Sequence, residues 1–142
     1  AFLAAEDGEL LAALSRKLDV IEDVVGGSLE GRFAYAAGLA SAFDRDRESA
    51  REELELWKAW WRSVLLVKEG LPGFVVHTSR LGSLEQVAAS LSGAQAAHAI
   101  EAVSESAEHL ERNVSPRLAL EELMLALPRP GAASPGGATE RR

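Results

Sequence analysis

Four side chains with the chemistry of metal ligands recur at intervals of three and four residues on one predicted helix. They are His98, Glu101, Glu105 and His109. Imidazole and carboxylate cages in helical bundles draw their ligands from two or more helices. Because no matching Glu-x-x-His pattern occurs on another predicted helix, we interpret the row as a solvated helix face with ion pairs one turn apart. We therefore expect no metal site.

The sequence lacks the motifs of nucleotide and acyl-transfer chemistry. It contains no Gly-x-x-x-x-Gly-Lys-Ser/Thr phosphate loop, no Gly-x-Gly-x-x-Gly turn and no Gly-x-Ser-x-Gly elbow. It also contains no cysteine, which excludes thiolate catalysis, disulfides and cysteine zinc sites. We therefore expect that this chain is not an enzyme and that it binds no cofactor and no small molecule.

Three tryptophans fall within five residues, at Trp57, Trp60 and Trp61. Exposed tryptophans can stack nucleobases, but they do so in a basic groove. Here three glutamates lie just upstream and the net charge is −7, which argues against contact with nucleic acid. Tryptophan also anchors cores and protein interfaces. Since Trp57 and Trp61 share one side of the helix, Trp60 is predicted to point partly away and to offer a second contact surface.

A short hinge separates the last two predicted helices. Ser115 can accept a hydrogen bond from a free N–H of the new helix, and Pro116 fits the first helical position. Arg117 could reach a phosphate on a neighbouring subunit, as arginine fingers do. We prefer an ion pair with Glu121 one turn later, because nothing in the sequence places a nucleotide nearby.

The last predicted helix, residues 117–127, is apolar on more than one side. Leu120 and Leu127 lie together on one side, and Leu118 and Leu125 lie together on another. A helix of this kind needs cover on several faces. We predict that one side packs inside the domain and the other meets a neighbouring subunit, and the sequence leaves open which is which. The candidate interface residues are Trp60, Asn113, Pro116, Arg117, Leu118, Leu120, Leu125 and Leu127.

Apolar periodicity and capping residues predict a chain made of helices. The expected helices are 7–25, 28–43, a third ending near 69, 83–91, 92–112 and 117–127. Ser83 with Gln86, and Ser92 with Gln95, are each predicted to form a capping box. The segment 74–81 is expected to be irregular or briefly extended, and the first five residues look like the tail of an earlier helix.

The composition indicates one globular domain. The chain has 142 residues, 47% of them hydrophobic and 26% charged, which is enough for one core. It shows no signal-peptide pattern and no apolar run of membrane-spanning length, so a cytoplasmic location is expected. The Pro-, Gly- and Ala-rich tail, residues 129–142, is expected to be disordered. The absence of an initiator Met suggests a piece of a longer protein.

Three stretches, in the same order, resemble the delta-prime subunits of the bacterial DNA polymerase III clamp loader. The one nearest the C-terminus, between Asn113 and Glu121, is similar to the family's Asn-x-Asn-Pro-Arg-Leu-Ala-Leu-Glu, with Ser115 at the second Asn. Residues 31–37, Gly-Arg-Phe-Ala-Tyr-Ala-Ala, are similar to Glu-Arg-Phe-x-x-Ala-Glu. Residues 57–68 resemble a Trp-Trp-Arg-Asp-Leu-Leu-Leu-Lys helix, with Ser63 where Asp is usual.

The resemblance implies an all-α fold, a compact collar-like bundle of about five to six helices without a sheet. It implies that residues 1–6 end a preceding lid helix and that residues 7–128 form the helical collar domain. Collar domains of five subunits pack into a ring that holds the ATPase modules while the assembly loads the sliding clamp on primed DNA. The implied partners are the delta and gamma/tau subunits, without direct contact to nucleic acid or a membrane.

Three other interpretations remain open at this point. One is the collar domain of the paralogous gamma/tau subunit, which has the same architecture. Another is an unrelated helical adaptor that binds other proteins. The third is a metal-dependent helical enzyme, which elemental analysis can test.

Overall fold

A computed structural model of the chain describes residues 2–75, 78–112 and 115–130. In these ranges the backbone forms six α-helices, two short 3-10 turns and no strand, which confirms the predicted compact all-α bundle. The helices are α1 (Phe2–Gly26), α2 (Leu29–Arg45), α3 (Arg47–Lys68), α4 (Leu81–Ala89), α5 (Gly93–Glu111) and α6 (Pro116–Ala126). None of the helices within the described ranges has the length and apolar character needed to cross a bilayer.

Side-chain caps begin most of these helices. Ser28 accepts a hydrogen bond from the backbone N–H of Gly31 at the start of α2, and Asp46 accepts one from Ser49 at the start of α3. Each cap satisfies one of the free N–H groups of a first helical turn. Asp46 is the single non-helical residue between α2 and α3, so the junction of the two helices is tight.

The end of α3 is fixed by Gly70, whose φ of +79° lies in the left-handed region. The N–H of Gly70 donates to the carbonyl of Val67, and the N–H of Leu71 donates to that of Leu66. This pair of hydrogen bonds is the Schellman motif, which favours glycine because a Cβ is strained at positive φ. The chain then forms the turns Pro72–Phe74 and Thr78–Arg80, where the sequence predicted an irregular or extended segment.

Two predicted helix starts are wrong. α1 runs unbroken from Phe2, so no new helix begins at Asp7. α4 begins at Leu81 without a side-chain cap, and the Ser83 hydroxyl instead donates to a carboxylate oxygen of Glu22 on α1. Ser83 lies inside the first turn of α4, and its hydroxyl is also 3.0 Å from the carbonyl oxygen of Arg80, so the expected capping box does not form. The box predicted at Ser92 and Gln95 is confirmed, with both of its hydrogen bonds present.

The core of the bundle lies around α3, which packs against α2, α4 and α5. α6 packs against α2 and α5 on another side of the bundle. Trp57, Trp60 and Trp61 are all fully buried on α3. Large buried side chains of this kind contribute about 1.5–3 kcal/mol each to folding.

α1 is covered along only part of its length. Leu18, Ile21 and Val25 are buried in the core, whereas Leu10 and Leu11 are 69% and 66% exposed. The apolar side of α1 therefore extends past the part of the helix that packs against the other helices of this chain.

Candidate subunit interface

α6 presents the two apolar sides that its sequence predicts, and the structure shows which side faces inward. Leu120 and Leu127 are buried against the bundle, together with Leu123 and Met124. On the other side, Leu118 is 53% exposed and Leu125 is 61% exposed. These two leucines lie two helical turns apart, so their side chains form one apolar stripe along the outside of the bundle. We call this pair the α6 outer stripe.

Arg32 holds the C-terminal end of α6 against α1 and α2. Its guanidinium is fully buried and donates 2.8 Å hydrogen bonds to the carbonyl oxygens of Met124 and Leu127. It also donates to the carbonyl of Val25 at 2.9 Å and to that of Pro128 at 2.7 Å. The last carbonyls of a helix lack partners inside the helix and carry partial negative charge. One arginine therefore caps the C-terminal ends of α1 and α6 together.

Burial lowers the pKa of Arg32, and the nearby charge of Arg129 lowers it further. Arginine stays protonated in proteins despite such shifts, because its ordinary pKa lies far above neutral pH. No salt bridge to Arg32 is formed within the described ranges, so backbone dipoles stabilise this cation. The sequence places Arg32 in a stretch that carries the family resemblance, but sequence analysis did not predict its structural role.

Trp60 does not offer the predicted second contact surface. It is fully buried, and its ring meets that of Trp61 edge-on at a centroid distance of 4.9 Å. Its indole N–H donates to Glu22 at 3.1 Å, and Arg80 donates to the other carboxylate oxygen of Glu22 at 3.1 Å. The helical period correctly turns Trp60 away from Trp57, but α1 meets that side through Glu22. Trp60 is therefore a core residue of this chain.

The remaining candidates lie around the start of α6. Pro116 occupies the first helical position, and Ser115 accepts a hydrogen bond from the N–H of Leu118, as predicted. Arg117 is exposed and donates to Glu121 at 3.0 Å, which confirms the predicted ion pair. Asn113 lies outside the described residues.

The row of potential metal ligands on α5 does not converge. His98, Glu101 and Glu105 are exposed, and His109 is partly buried. Nowhere in the described part of the chain do three His, Asp or Glu side chains come close enough to hold a metal ion. The row therefore gives no support to the metal-dependent enzyme.

Comparison with models of protein families, with curated proteins and with solved structures finds no match for this chain.

Proposed function

We propose that this chain is a non-catalytic oligomerisation domain, the collar of a delta-prime-like subunit of a DNA polymerase III clamp loader. In this role it binds the delta and gamma/tau subunits in the cytoplasm and helps hold the pentamer that loads the sliding clamp during DNA replication. The single observation that carries the proposal is the α6 outer stripe, where Leu118 and Leu125 are more than half exposed. Burial of such a stripe between subunits removes apolar surface from water.

The anchoring of α6 supports this role. Arg32 fixes the C-terminal end of α6, and the buried side of the helix packs on α2 and α5. The outer stripe is thus displayed on a helix held by both hydrogen bonds and packing. A rigid surface loses little conformational entropy when it binds a partner.

The resemblance supports the specific assignment, since it draws on three stretches in the family's order. Two of these stretches contain residues with central structural roles here, namely Arg32 and the tryptophans of α3. The collar of a gamma/tau subunit uses the same architecture and is the first alternative. An unrelated helical adaptor is the second, and it also uses an exposed apolar stripe.

The test is co-expression of the 142-residue chain with the delta and gamma/tau subunits, followed by size-exclusion chromatography. We expect the wild-type chain to co-elute with them and Leu118→Glu/Leu125→Glu to elute alone while keeping its helical circular dichroism. The matched control is Ala94→Glu/Ala97→Glu, which adds the same charge at two exposed positions of α5 and is expected to leave co-elution intact.

Each other result has a defined meaning. If the wild-type chain elutes alone, the clamp-loader proposal is wrong and the adaptor interpretation gains. If Leu118→Glu/Leu125→Glu still co-elutes, the α6 outer stripe is not the interface. If the chain displaces an authentic gamma/tau subunit from its complex with delta, instead of joining that complex, it is the paralogous gamma/tau collar.

A further inference from the structure

The N-terminal half of α1 carries leucines that the described part of this chain leaves uncovered. Leu10 and Leu11 are 69% and 66% exposed, and Leu14 beside them is partly buried. These side chains lie on one side of α1, because residues three and four apart are neighbours on a helix surface. We call the three leucines the α1 stripe. Adjacent exposed leucines of this kind are typical of a surface that binds another molecule.

The spacing of the apolar residues of α1 favours a helix as the partner of the stripe. Leu11, Leu18 and Val25 are seven residues apart, with Leu14 and Ile21 between them. This is the heptad pattern of helices that pair along their length. The C-terminal part of the pattern is buried inside the bundle, and the N-terminal part is not. The exposed part therefore fits the apolar side of a second helix.

The two ends of the α1 stripe carry opposite charges. Asp7 and Glu9 precede the stripe, Arg16 and Lys17 follow it, and all four residues are exposed. Lys17 contacts Glu53 at 3.6 Å with half of its side chain in water, and such an exposed pair contributes little. An antiparallel copy of α1 therefore brings each acidic end beside a basic end. A parallel copy brings like charges together.

Arg80 fixes α1 directly beside the stripe. Its guanidinium donates to the carbonyl oxygen of Ser15 at 2.7 Å and to the carboxylate of Asp19 at 2.6 Å. These hydrogen bonds join α1 to the turn Thr78–Arg80, one residue after the last leucine of the stripe. The stripe is thus displayed on an anchored helix, which loses little conformational entropy when it binds a partner.

We propose that the α1 stripe pairs with the α1 stripe of a second copy of this chain, antiparallel about a two-fold axis. When Leu11 lies opposite Leu14 of the second copy, position 8 of one helix faces position 17 of the other, so Asp7 lies beside Lys17 of the second copy. The two-fold axis repeats each contact, as in other symmetric dimers. The stripe shares no residue with the α6 outer stripe, so the inference does not depend on the proposed function.

The small size of the α1 stripe sets the expected affinity. Three leucines from each copy bury much less than the ~1,200–2,000 Å² of a stable complex. We therefore expect a weak and reversible dimer, with a dissociation constant on the order of 100 µM.

Sedimentation equilibrium of the 142-residue chain, from about 10 µM to about 1 mM, measures this association. We expect the weight-average mass to rise from the 15.1 kDa of the monomer towards that of a dimer. Leu10→Gln/Leu11→Gln is expected to raise the dissociation constant roughly tenfold or more and to keep the helical circular dichroism. The control Val20→Gln/Leu29→Gln replaces two apolar residues that are 45% and 38% exposed outside the stripe, and it is expected to change the constant less than about twofold.

Reversal of charge tests the direction of pairing. Asp7→Lys is expected to weaken the dimer roughly threefold at low salt, because it sets like charges beside each other at both ends of the pair. Addition of Lys17→Asp in the same chain makes these neighbours opposite in charge again. The double variant is therefore expected to return to within about twofold of the wild-type dissociation constant.

Five outcomes overturn the proposal. One is a mass that stays at 15.1 kDa over the whole concentration range. Another is an equal loss in the two Gln variants, which indicates a general effect of apolar surface. A third is a loss in Leu118→Glu/Leu125→Glu but not in Leu10→Gln/Leu11→Gln, which assigns self-association to the α6 outer stripe. A mass that rises beyond that of a dimer indicates an open-ended contact, and a double charge variant that associates no better than Asp7→Lys contradicts the antiparallel pair.

Discussion

Arg32 shows how much of this fold depends on one side chain. It is a fully buried cation whose hydrogen bonds go to backbone carbonyls at the ends of two helices. Taking a charge out of water costs several kcal/mol, and here that cost is offset by four short hydrogen bonds. Removal of the guanidinium leaves all four carbonyls without their partner.

We therefore expect Arg32→Ala to destabilise the domain by about 3–5 kcal/mol, because each buried carbonyl left without a donor costs roughly 1–3 kcal/mol and water can reach some of them. This loss is a large part of the ~5–15 kcal/mol that holds a domain folded. Arg32→Lys is the matched variant, because it keeps the charge but lacks the planar fork that reaches two helices at once. It is expected to recover only part of the loss. Urea denaturation followed by circular dichroism measures both, and a loss below about 1 kcal/mol for Arg32→Ala contradicts the capping role.

Tyr35 makes a second prediction at the residue scale. Its hydroxyl donates to Glu53 and accepts from the indole N–H of Trp57 at 2.8 Å. Burial raises the pKa of Tyr35 well above its ordinary value, and the neighbouring charge of Glu53 raises it further. The folded state therefore keeps this proton at a pH where the unfolded chain releases it.

A raised pKa in the folded state gives stability that is complete below the unfolded pKa and lost above it. For Tyr35 the loss begins near pH 10, with a slope of up to about 1.4 kcal/mol per pH unit. Because the chain has a single tyrosine, phenolate absorbance reports on this residue alone. We expect phenolate to appear only as the protein unfolds, and Tyr35→Phe to lose this part of the alkaline slope. Phenolate formation near pH 10 in a protein that is still folded contradicts the prediction.

At the residue scale the sequence predicted the local contacts and missed the long-range ones. The ion pair of Arg117 with Glu121 follows from a spacing of four residues on one helix. Arg32 meets Met124, which lies 92 residues away in the chain, and no local pattern can indicate such a contact. Trp60 was predicted to lie on a surface for the same reason, since the period of α3 does not show that Glu22 of α1 meets its second side.

At the scale of the elements, two identical capping motifs have different fates. In α5, Gln95 accepts a hydrogen bond from the N–H of Ser92 at 2.9 Å, and the Ser92 hydroxyl accepts one from Gln95 at 3.0 Å. In α4, the hydroxyl of Ser83 donates to Glu22, and Gln86 is exposed within a helix that has already begun. The motif therefore forms a capping box only where its serine lies just before the first residue of the helix, as Ser92 does.

This difference gives a matched test in which the same substitution is made in both motifs. Gln95→Ala removes half of a formed capping box and is expected to cost about 0.5–1 kcal/mol. Gln86→Ala touches no cap and is expected to stay within about 0.5 kcal/mol of the wild type. Thermal and urea denaturation of the two variants measure the difference, and equal losses show that α4 and α5 begin in the same way.

α1 shows the limit of periodicity at this scale. The repeat of apolar residues correctly predicted a helix, and Leu18, Ile21 and Val25, which belong to that repeat, are buried. The same repeat includes Leu10 and Leu11, which remain exposed in this chain. The periodicity of a sequence shows which side of a helix is apolar. How much of that side is buried depends on where the other helices lie.

For the whole molecule, α6 connects the fold with the proposed assembly. The sequence predicted that its two apolar sides have different roles but could not assign them, because both sides have leucines seven residues apart. The structure assigns the inner side through its packing on α2 and α5 and through the position of Arg32. Each side can now be tested with the same chemical change.

We expect Leu120→Glu/Leu127→Glu to prevent folding, because it places two carboxylates at positions that are 0% and 2% exposed. An unpaired buried charge costs several kcal/mol. Two such charges therefore come close to, or exceed, the free energy of unfolding of a typical domain, which is ~5–15 kcal/mol. Leu118→Glu/Leu125→Glu introduces the same charges with the same spacing on the same helix, but in water. It is expected to keep the melting temperature within a few degrees of the wild type, since surface substitutions change stability by about 0.5 kcal/mol or less. Circular dichroism melts compare the two variants, and loss of folding in both means that the outer stripe also belongs to the core.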